Sequence, residues 1–162
     1  MKPITNPSFN VRVADHSHAQ QLTTLINDAF RIAEGFFIDQ ARIDVPEVLD
    51  HLKSGTFLIV EDQSSLVGCV YVEPRGERAY FGLLSVDPAR QKAGLGSLLA
   101  NAAEQYARKR GARYMDILIV NLREELPAYY GKRGYVETGT APFPEGVKLK
   151  LPCHFVCMAK EL

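Results

Sequence analysis

The sequence predicts a mixed α/β (α+β) fold, with a central, twisted, mostly antiparallel sheet flanked by helices. Three observations predict it. Apolar, β-rich runs outnumber amphipathic helical ones. Three of those runs follow one another across short polar breaks, the pattern of a hairpin meander. A helical stretch then separates the run 78–86 from the run 113–120, and a strand–helix–strand crossover implies a parallel pair.

In chain order, "FNVRVA" (9–14) reads as a short strand. Asp15 suits the N-cap of the helix that follows, whose apolar stripe is Leu22, Leu25, Ile26 and Ala29. "VPEVLDHLKSG" (45–55) is a shorter helix, with Pro46 in its first turn and Gly55 past its end. "TFLIVE" (56–61), "SLVGCVYVE" (65–73) and "RAYFGLLSV" (78–86) form the meander, broken at "DQSS" and "PRGE". A helix over 94–110 follows, with Leu95, Leu98, Leu99, Ala102, Ala103 and Tyr106 on one face. Arg108, Lys109 and Arg110 suit the negative end of its dipole, and Gly111 ends it. "RYMDILIV" (113–120) is a strand and "LREELPAYYGKRG" (122–134) a Pro-interrupted helix. "YVETGT" (135–140) and "CHFVCMAKEL" (153–162) are the last strands, joined by the Pro-rich loop 141–152. No repeat, linker or composition shift divides the chain, so residues 1–162 are expected to form one domain.

Composition narrows the function. The 162 residues carry 19 basic and 19 acidic side chains, so the formal net charge is zero. Binding to nucleic acid through phosphate neutralisation, or to acidic membranes through charge, is not expected of such a chain. The start "MKPITNPSFN" lacks the apolar stretch of a signal peptide, and no run approaches a membrane span, so a cytoplasmic protein is expected. Cys69, Cys153 and Cys157 are an odd number and are expected to stay reduced. Cys153, His154 and Cys157 resemble metal ligands, but alternation along a strand turns His154 away from the two thiols, and no metal is expected. His16 and His18 lack ligand partners at a suitable spacing and read as surface residues.

The stretch "DPARQKAGLGSLLA" (87–100) carries the chemistry. Its glycines lie between a strand and a helix start, where unpaired N–H groups and the helix dipole attract anions. Glycine lets the backbone approach a phosphate closely. A plainer reading is a tight turn with glycines for packing alone. No Walker sequence is present. The dinucleotide fingerprint fits Gly94 and Gly96 but meets Leu99 at its sixth position, and although Asp116 lies at a ribose-binding distance, the preceding meander does not suit that fold. Gln91, Gly94 and Gly96 do satisfy Gln/Arg-x-x-Gly-x-Gly/Ala.

With that loop, the strand ending "LLSVDP" and the later segment "NLREELPAYYGKRGYVETG", the chain resembles the GNAT N-acetyltransferase superfamily over nearly its whole length. The resemblance implies an acetyl-CoA-dependent N-acetyltransferase, with direct transfer to an amine in a ternary complex. Backbone groups of Leu84 and Val86 would bind pantetheine, and the N–H groups of Gln91, Lys92, Ala93, Gly94, Leu95, Gly96 and Ser97 the pyrophosphate. Val86 would also supply the oxyanion donor. Tyr130, four residues before Gly134, would be the general acid for the leaving thiolate, while Tyr129 packs. Asn121 would touch the pantetheine or cap a helix. Where some relatives carry a glutamate base, this strand has Tyr80; Glu73 is the nearest alternative, acting through water, unless it is simply a solvated hairpin charge.

On the acceptor side, "EGFFIDQARIDVPEVLD" (34–50) offers an acidic rim for a cationic amine, Phe36 and Phe37 as walls, and Arg42 as a grip for a carboxylate. The plainer reading is a solvated helix face with phenylalanines in the core. "APFPEG" (141–146) would cover the other side. The acceptor stays open between a small-molecule amine and a peptide or protein amine. The resemblance also implies a homodimer paired through late strands as one arrangement. A non-catalytic acyl-CoA-binding sensor or interaction module on the same fold is the alternative function.

Overall fold

The computed structural model describes residues 9–91 and 93–162. Its strands are β1 (Val11–Val13), β2 (Thr56–Asp62), β3 (Ser65–Arg75), β4 (Arg78–Val86), β5 (Tyr114–Val120), β6 (Val136–Pro142) and β7 (His154–Glu161). Its α-helices are α1 (Ala19–Glu34), α2 (Val45–Ser54), α3 (Leu95–Lys109) and α4 (Leu126–Gly131). The strands join one seven-stranded sheet in the order β1-β2-β3-β4-β5-β7-β6. Every neighbouring pair is antiparallel except β4–β5, the pair bridged by α3. The expected mixed sheet is therefore present.

Both faces of the sheet are covered, which is why its middle strands read as continuous apolar runs. Leu58, Val60, Val70 and Val72 face α3, whereas Phe57, Ile59, Cys69 and Tyr71 face α1 and α2. The two-residue period of a strand sends alternate side chains into two separate cores. α3 lays Leu95, Leu99, Ala100, Ala103 and Ala107 against the sheet. Gly68 makes room for it, since a Cβ there would come within 2.8 Å of Leu99 Cδ1. The α1 stripe of Leu22, Leu25 and Ile26 buries as the periodicity predicts.

Local chemistry sets the boundaries. The β2–β3 turn places Gln63 and Ser64 at φ 51° and 70°, the primed-turn geometry that matches strand twist. Asp15 caps a 3-10 turn (His16–His18) rather than α1 directly. His18, expected at the surface, is buried: its Nδ1 accepts from the Asp15 N–H at 3.1 Å and completes the capping box. Asp44 caps α2 by accepting from the Glu47 N–H at 2.9 Å. The helix expected over 122–134 shrinks to Leu126–Gly131, because turns occupy the residues on either side.

β7 enters the sheet between β5 and β6, a placement the sequence pattern does not reveal. Behind it, Glu104 of α3 is buried and accepts from Tyr135 Oη and Lys160 Nζ, each at 2.8 Å. That cluster ties α3 to β7 and to the turn after α4.

Candidate active site

The site begins with a fault in β4. Opposite Val70, the β3–β4 register slips between Cys69↔Ser85 and Tyr71↔Gly82, so Leu83 and Leu84 together oppose one residue. Leu83 takes φ +54°, a left-handed conformation that costs a non-glycine residue about 1 kcal/mol or more. Such a bulge bends a strand. Here pairing between β4 and β5 stops at Tyr80↔Asp116, and beyond that rung the two strands diverge. Arg78 clasps the closed end through a bidentate pair with Asp116, at 2.8 and 2.6 Å. From Phe81 onward the β5-facing edge of β4 has no strand partner, which leaves backbone N–H and C=O groups open to an extended ligand.

The cleft that results is a cavity of about 400 Å³. β4 contributes Gly82, Leu83, Leu84 and Val86, and β5 contributes Ile117 to Val120. At its outer end stands the N-terminus of α3. Gly94 caps that helix at φ +78° with no side-chain cap, so the first N–H groups of α3 keep no intrahelical partner. A Cβ at Gly94 or Gly96 would meet nothing within 4 Å among the described residues. Packing therefore does not demand these glycines: the left-handed φ calls for Gly94, and Gly96 lines the cavity. The loop itself is braced. Gln91 Nε2 donates to the Val86 carbonyl at 3.1 Å, Arg90 pairs with Asp62, and the Asp87 N–H donates to the Val67 carbonyl at 2.8 Å.

Deeper in the cleft lies Tyr130, 8% exposed, with its ring among Phe81, Tyr129 and Tyr135 at centroid distances of 5.0–6.1 Å. It lines the cavity, and its hydroxyl has no hydrogen-bond partner among the described residues. Burial pushes its phenol up to about 12, so it is a neutral donor at physiological pH.

The opposite wall comes from the end of α1 and the loop after it: Phe30, Glu34, Ile38, Gln40 and Arg42. Residues 37–40 are stitched to the β6–β7 loop. Ile38 bridges Leu149, the Asp39 N–H donates to the Lys148 carbonyl at 2.9 Å, and the Lys150 N–H donates to the Phe37 carbonyl at 2.7 Å. Glu34 is buried and pairs with Arg123 at 3.2 Å; Arg123 also holds Glu125 at 3.0 Å. Burial raises the Glu34 carboxyl above its usual range, against the lowering influence of Arg123 and Arg42.

The cleft is thus a diverging parallel pair of strands with an uncapped glycine helix start at its mouth. The family model for the acetyltransferase (GNAT) family matches residues 20–135. The chain belongs to the GNAT acetyltransferase family. As a GNAT protein it is an acetyl-CoA-dependent N-acetyltransferase. A search of the curated proteins finds no match. Among solved structures, the fold is similar to PaiA N-acetyltransferase from Thermoplasma acidophilum in complex with coenzyme A (14% identity, TM-score 0.77, covering 96% of this chain and 99% of that one). It is similar to YncA from Salmonella typhimurium with its cofactor acetyl-CoA (20%, 0.74, 96% and 94%). It is also similar to a ribosomal-protein-alanine N-acetyltransferase from Brucella melitensis (19%, 0.75, 94% and 99%).

Within this GNAT cleft the structure brings together Leu84, Val86, Gln91, Gly96 and Tyr130. Gly94, Leu95 and Ser97 sit at the α3 start beside it. The Ala93 N–H already donates to the Arg90 carbonyl at 3.2 Å. Lys92 lies outside the described residues. Asn121 neither caps a helix nor lines the cavity: its Oδ1 accepts from the His154 N–H at 2.8 Å, and its own N–H donates back to the His154 carbonyl at 2.9 Å. Glu73 also stands outside the cavity lining, held by Tyr71 Oη at 2.7 Å and Arg75 Nε at 2.6 Å, which lower its carboxyl. Tyr129, expected to pack, is the more exposed of the two tyrosines, and its hydroxyl lies 3.3 Å from Ser97 Oγ.

Of the acidic residues in 34–50, only Glu34 lines the cavity. Phe37 is core, as the plainer reading of that segment has it, whereas Phe36 is exposed; neither lines the cavity. Phe143 and Pro144 of the expected covering loop do reach the cavity. The Glu34–Arg123 pair has no local sequence signal, because its partners stand 89 residues apart. Among the described residues, no group of three or more His, Cys, Asp and Glu is placed to hold a metal, and no helix is long and apolar enough to cross a membrane.

Proposed function

We propose that a neutral primary amine attacks acetyl-CoA directly in the cleft between β4 and β5, in a ternary complex. The observation that carries this reading is the bulge at Leu83–Leu84, which opens an unpaired strand edge in line with the glycine start of α3. Pantetheine lies along that edge as an added strand on the backbone of Leu84 and Val86. The pyrophosphate sits on the N–H groups of Gly94, Leu95, Gly96 and Ser97, where the helix dipole also favours it.

In the step itself, the amine nitrogen bonds to the acetyl carbonyl carbon. The C–S bond breaks, and its electron pair leaves on sulfur. The oxyanion formed on the way is met by a backbone N–H at the splayed strand, that of Val86. The surplus proton on nitrogen passes to Glu34 or to solvent, and sulfur receives a proton from Tyr130, which solvent then restores. The net change is amine plus acetyl-CoA to N-acetylamine plus free thiol. An ordinary thiol has a pKa of about 8.5, below that of the buried phenol at about 12. Burial raises the sulfur as well, which narrows the gap and leaves Tyr130 a hydrogen-bond donor through most of the step. Glu34 suits the base role better than Glu73. It lines the cavity with a carboxyl raised toward neutrality, whereas Glu73 is lowered and tied elsewhere. The three unpaired cysteines support a reducing, cytoplasmic setting.

The test is thiol release from acetyl-CoA across a panel of amines, with acetyl-CoA binding measured separately by calorimetry. Acceptor-dependent release is expected. Tight binding with no release over a broad panel would assign a sensor on the same fold, and absence of binding would overturn the assignment of the cleft.

A further inference from the structure

The charges of the cavity wall describe the acceptor. The charged side chains that line it are Glu34, Arg42 and Arg123. Arg123 already pairs with two carboxylates, Nη1 on Glu34 and Nε on Glu125. Glu34 receives Arg123 on Oε2, and Oε1 has no partner among the described residues. Arg42 differs from both. No carboxylate lies within salt-bridge distance of it among the described residues; its guanidinium faces the Phe30 ring at 5.4 Å from the centroid. It stands close enough to Glu34 and Tyr80 to favour their ionised forms.

The backbone beside Arg42 is braced. The next residue, Ile43, is buried, and the Asn27 side chain binds both of its backbone groups: Nδ2 donates to the Ile43 carbonyl at 2.9 Å, and Oδ1 accepts from the Ile43 N–H at 3.0 Å. Such bracing fixes the backbone from which the Arg42 side chain reaches the cavity wall. None of the acidic neighbours in 39–50 lines the cavity, and two are occupied elsewhere. Asp44 caps α2, and Asp50 pairs with Lys53 on the outer face. The loop that closes this side brings Lys148 and Lys150 instead, with Lys150 Nζ on the Gly35 carbonyl at 2.9 Å.

We propose that the acceptor is a small primary amine that itself carries a carboxylate, an amino acid in the broad sense. Arg42 grips the carboxylate and Glu34 Oε1 receives the amine. Arg123 is balanced by Glu34 and Glu125, which leaves Arg42 as the wall's guanidinium without a carboxylate partner among the described residues. The attacking form of an amino acid, neutral at nitrogen and ionised at the carboxyl, carries one negative charge and matches it. A planar guanidinium binds a carboxylate through two parallel hydrogen bonds, so it fixes orientation as well as charge. The stitched loops 37–40 and 147–150 and the volume of about 400 Å³, shared with the thioester, favour a small acceptor over a folded protein surface. This inference rests on the acetyl-transfer reading above.

The test compares α-, β- and γ-amino acids with their carboxamides, with the matching amines that lack the carboxyl, and with short peptides, in a thiol-release assay at fixed acetyl-CoA. At least one carboxylate-bearing amine is expected to exceed its carboxamide about 100-fold in kcat/KM. In Arg42→Ala that ratio is expected to fall toward one, and in Arg42→Glu to drop below one. Acetyl-CoA binding by calorimetry reports that each variant is folded and keeps its thioester site. If acetyl-CoA binds and amines without an anion serve equally well, or peptides are preferred, or no carboxylate-bearing amine is acetylated, the proposal is overturned while the cleft assignment stands. If acetyl-CoA does not bind to the wild type, the acetyl-transfer reading itself has failed.

Discussion

Within a helix, alanine is favoured over glycine by up to about 1 kcal/mol, yet Gly96 occupies the second position of α3 with open space where a Cβ would be. Its use is therefore to be sought in the ligand. Gly96→Ala is expected to leave the urea midpoint unchanged or raise it slightly, while weakening acetyl-CoA binding by about tenfold in calorimetry, because the methyl group enters the phosphate cradle. Tyr130→Phe keeps the aromatic packing and removes only the donor. Turnover is expected to fall about 100-fold with little change in acetyl-CoA affinity, and equal turnover in a steady-state assay would remove the phenol from the step. Glu34 makes a prediction about stability. Its folded pKa lies above the ordinary 4.5, so the folded chain holds this proton after the unfolded chain has lost it. Stability then falls as pH rises from about 4.5 through the raised value, and levels off above it. Urea midpoints across that range should show the slope in the wild type and lose it in Glu34→Gln. At this scale, the sequence pointed to Gln91, Gly94 and Gly96 in one short loop, and to Tyr130 in a second local segment. It gave no warning of Glu34 with Arg123, nor of the engagement of Glu73 by Tyr71 and Arg75, because side-chain partners depend on the sheet that joins distant segments.

Each strand and long helix was legible because periodicity records which faces are covered, and here both faces of β2 and β3 are. The bulge in β4 was not, since a left-handed leucine leaves no mark in composition; only the slipped register reveals it. α4 was overread, because "LREELPAYYGKRG" is helical in composition while its ends turn. How elements are fastened is testable through Glu104. Removing that carboxylate strands the Tyr135 hydroxyl and the Lys160 ammonium behind α3. Because Lys160 still reaches some water, Glu104→Ala is expected to cost about 3 kcal/mol, read as a fall in Tm of about 6–12 °C. Glu104→Gln, which keeps an acceptor for Tyr135, should recover part of that loss.

At the scale of the molecule, the cleft exists only where β4, β5, α1, α3 and the loop before β7 meet. Acetyl-CoA binding should therefore stabilise the whole fold. At a ligand concentration 100 times Kd the gain is about 2.7 kcal/mol, a rise in Tm of about 5–11 °C by scanning fluorimetry, with no comparable rise for a nucleotide that lacks the pantetheine arm. The strand order has a consequence for synthesis. β7 is made after β5 and β6, yet it fills the gap between them, and Lys160 and the preceding loop complete the core and the acceptor wall. A nascent chain that has emerged only as far as Pro152 presents two open strand edges, those of β5 and β6, with nothing between them. Until β7 is added the acceptor wall is incomplete, and for that interval the half-built sheet is a site for a chaperone or for mispairing.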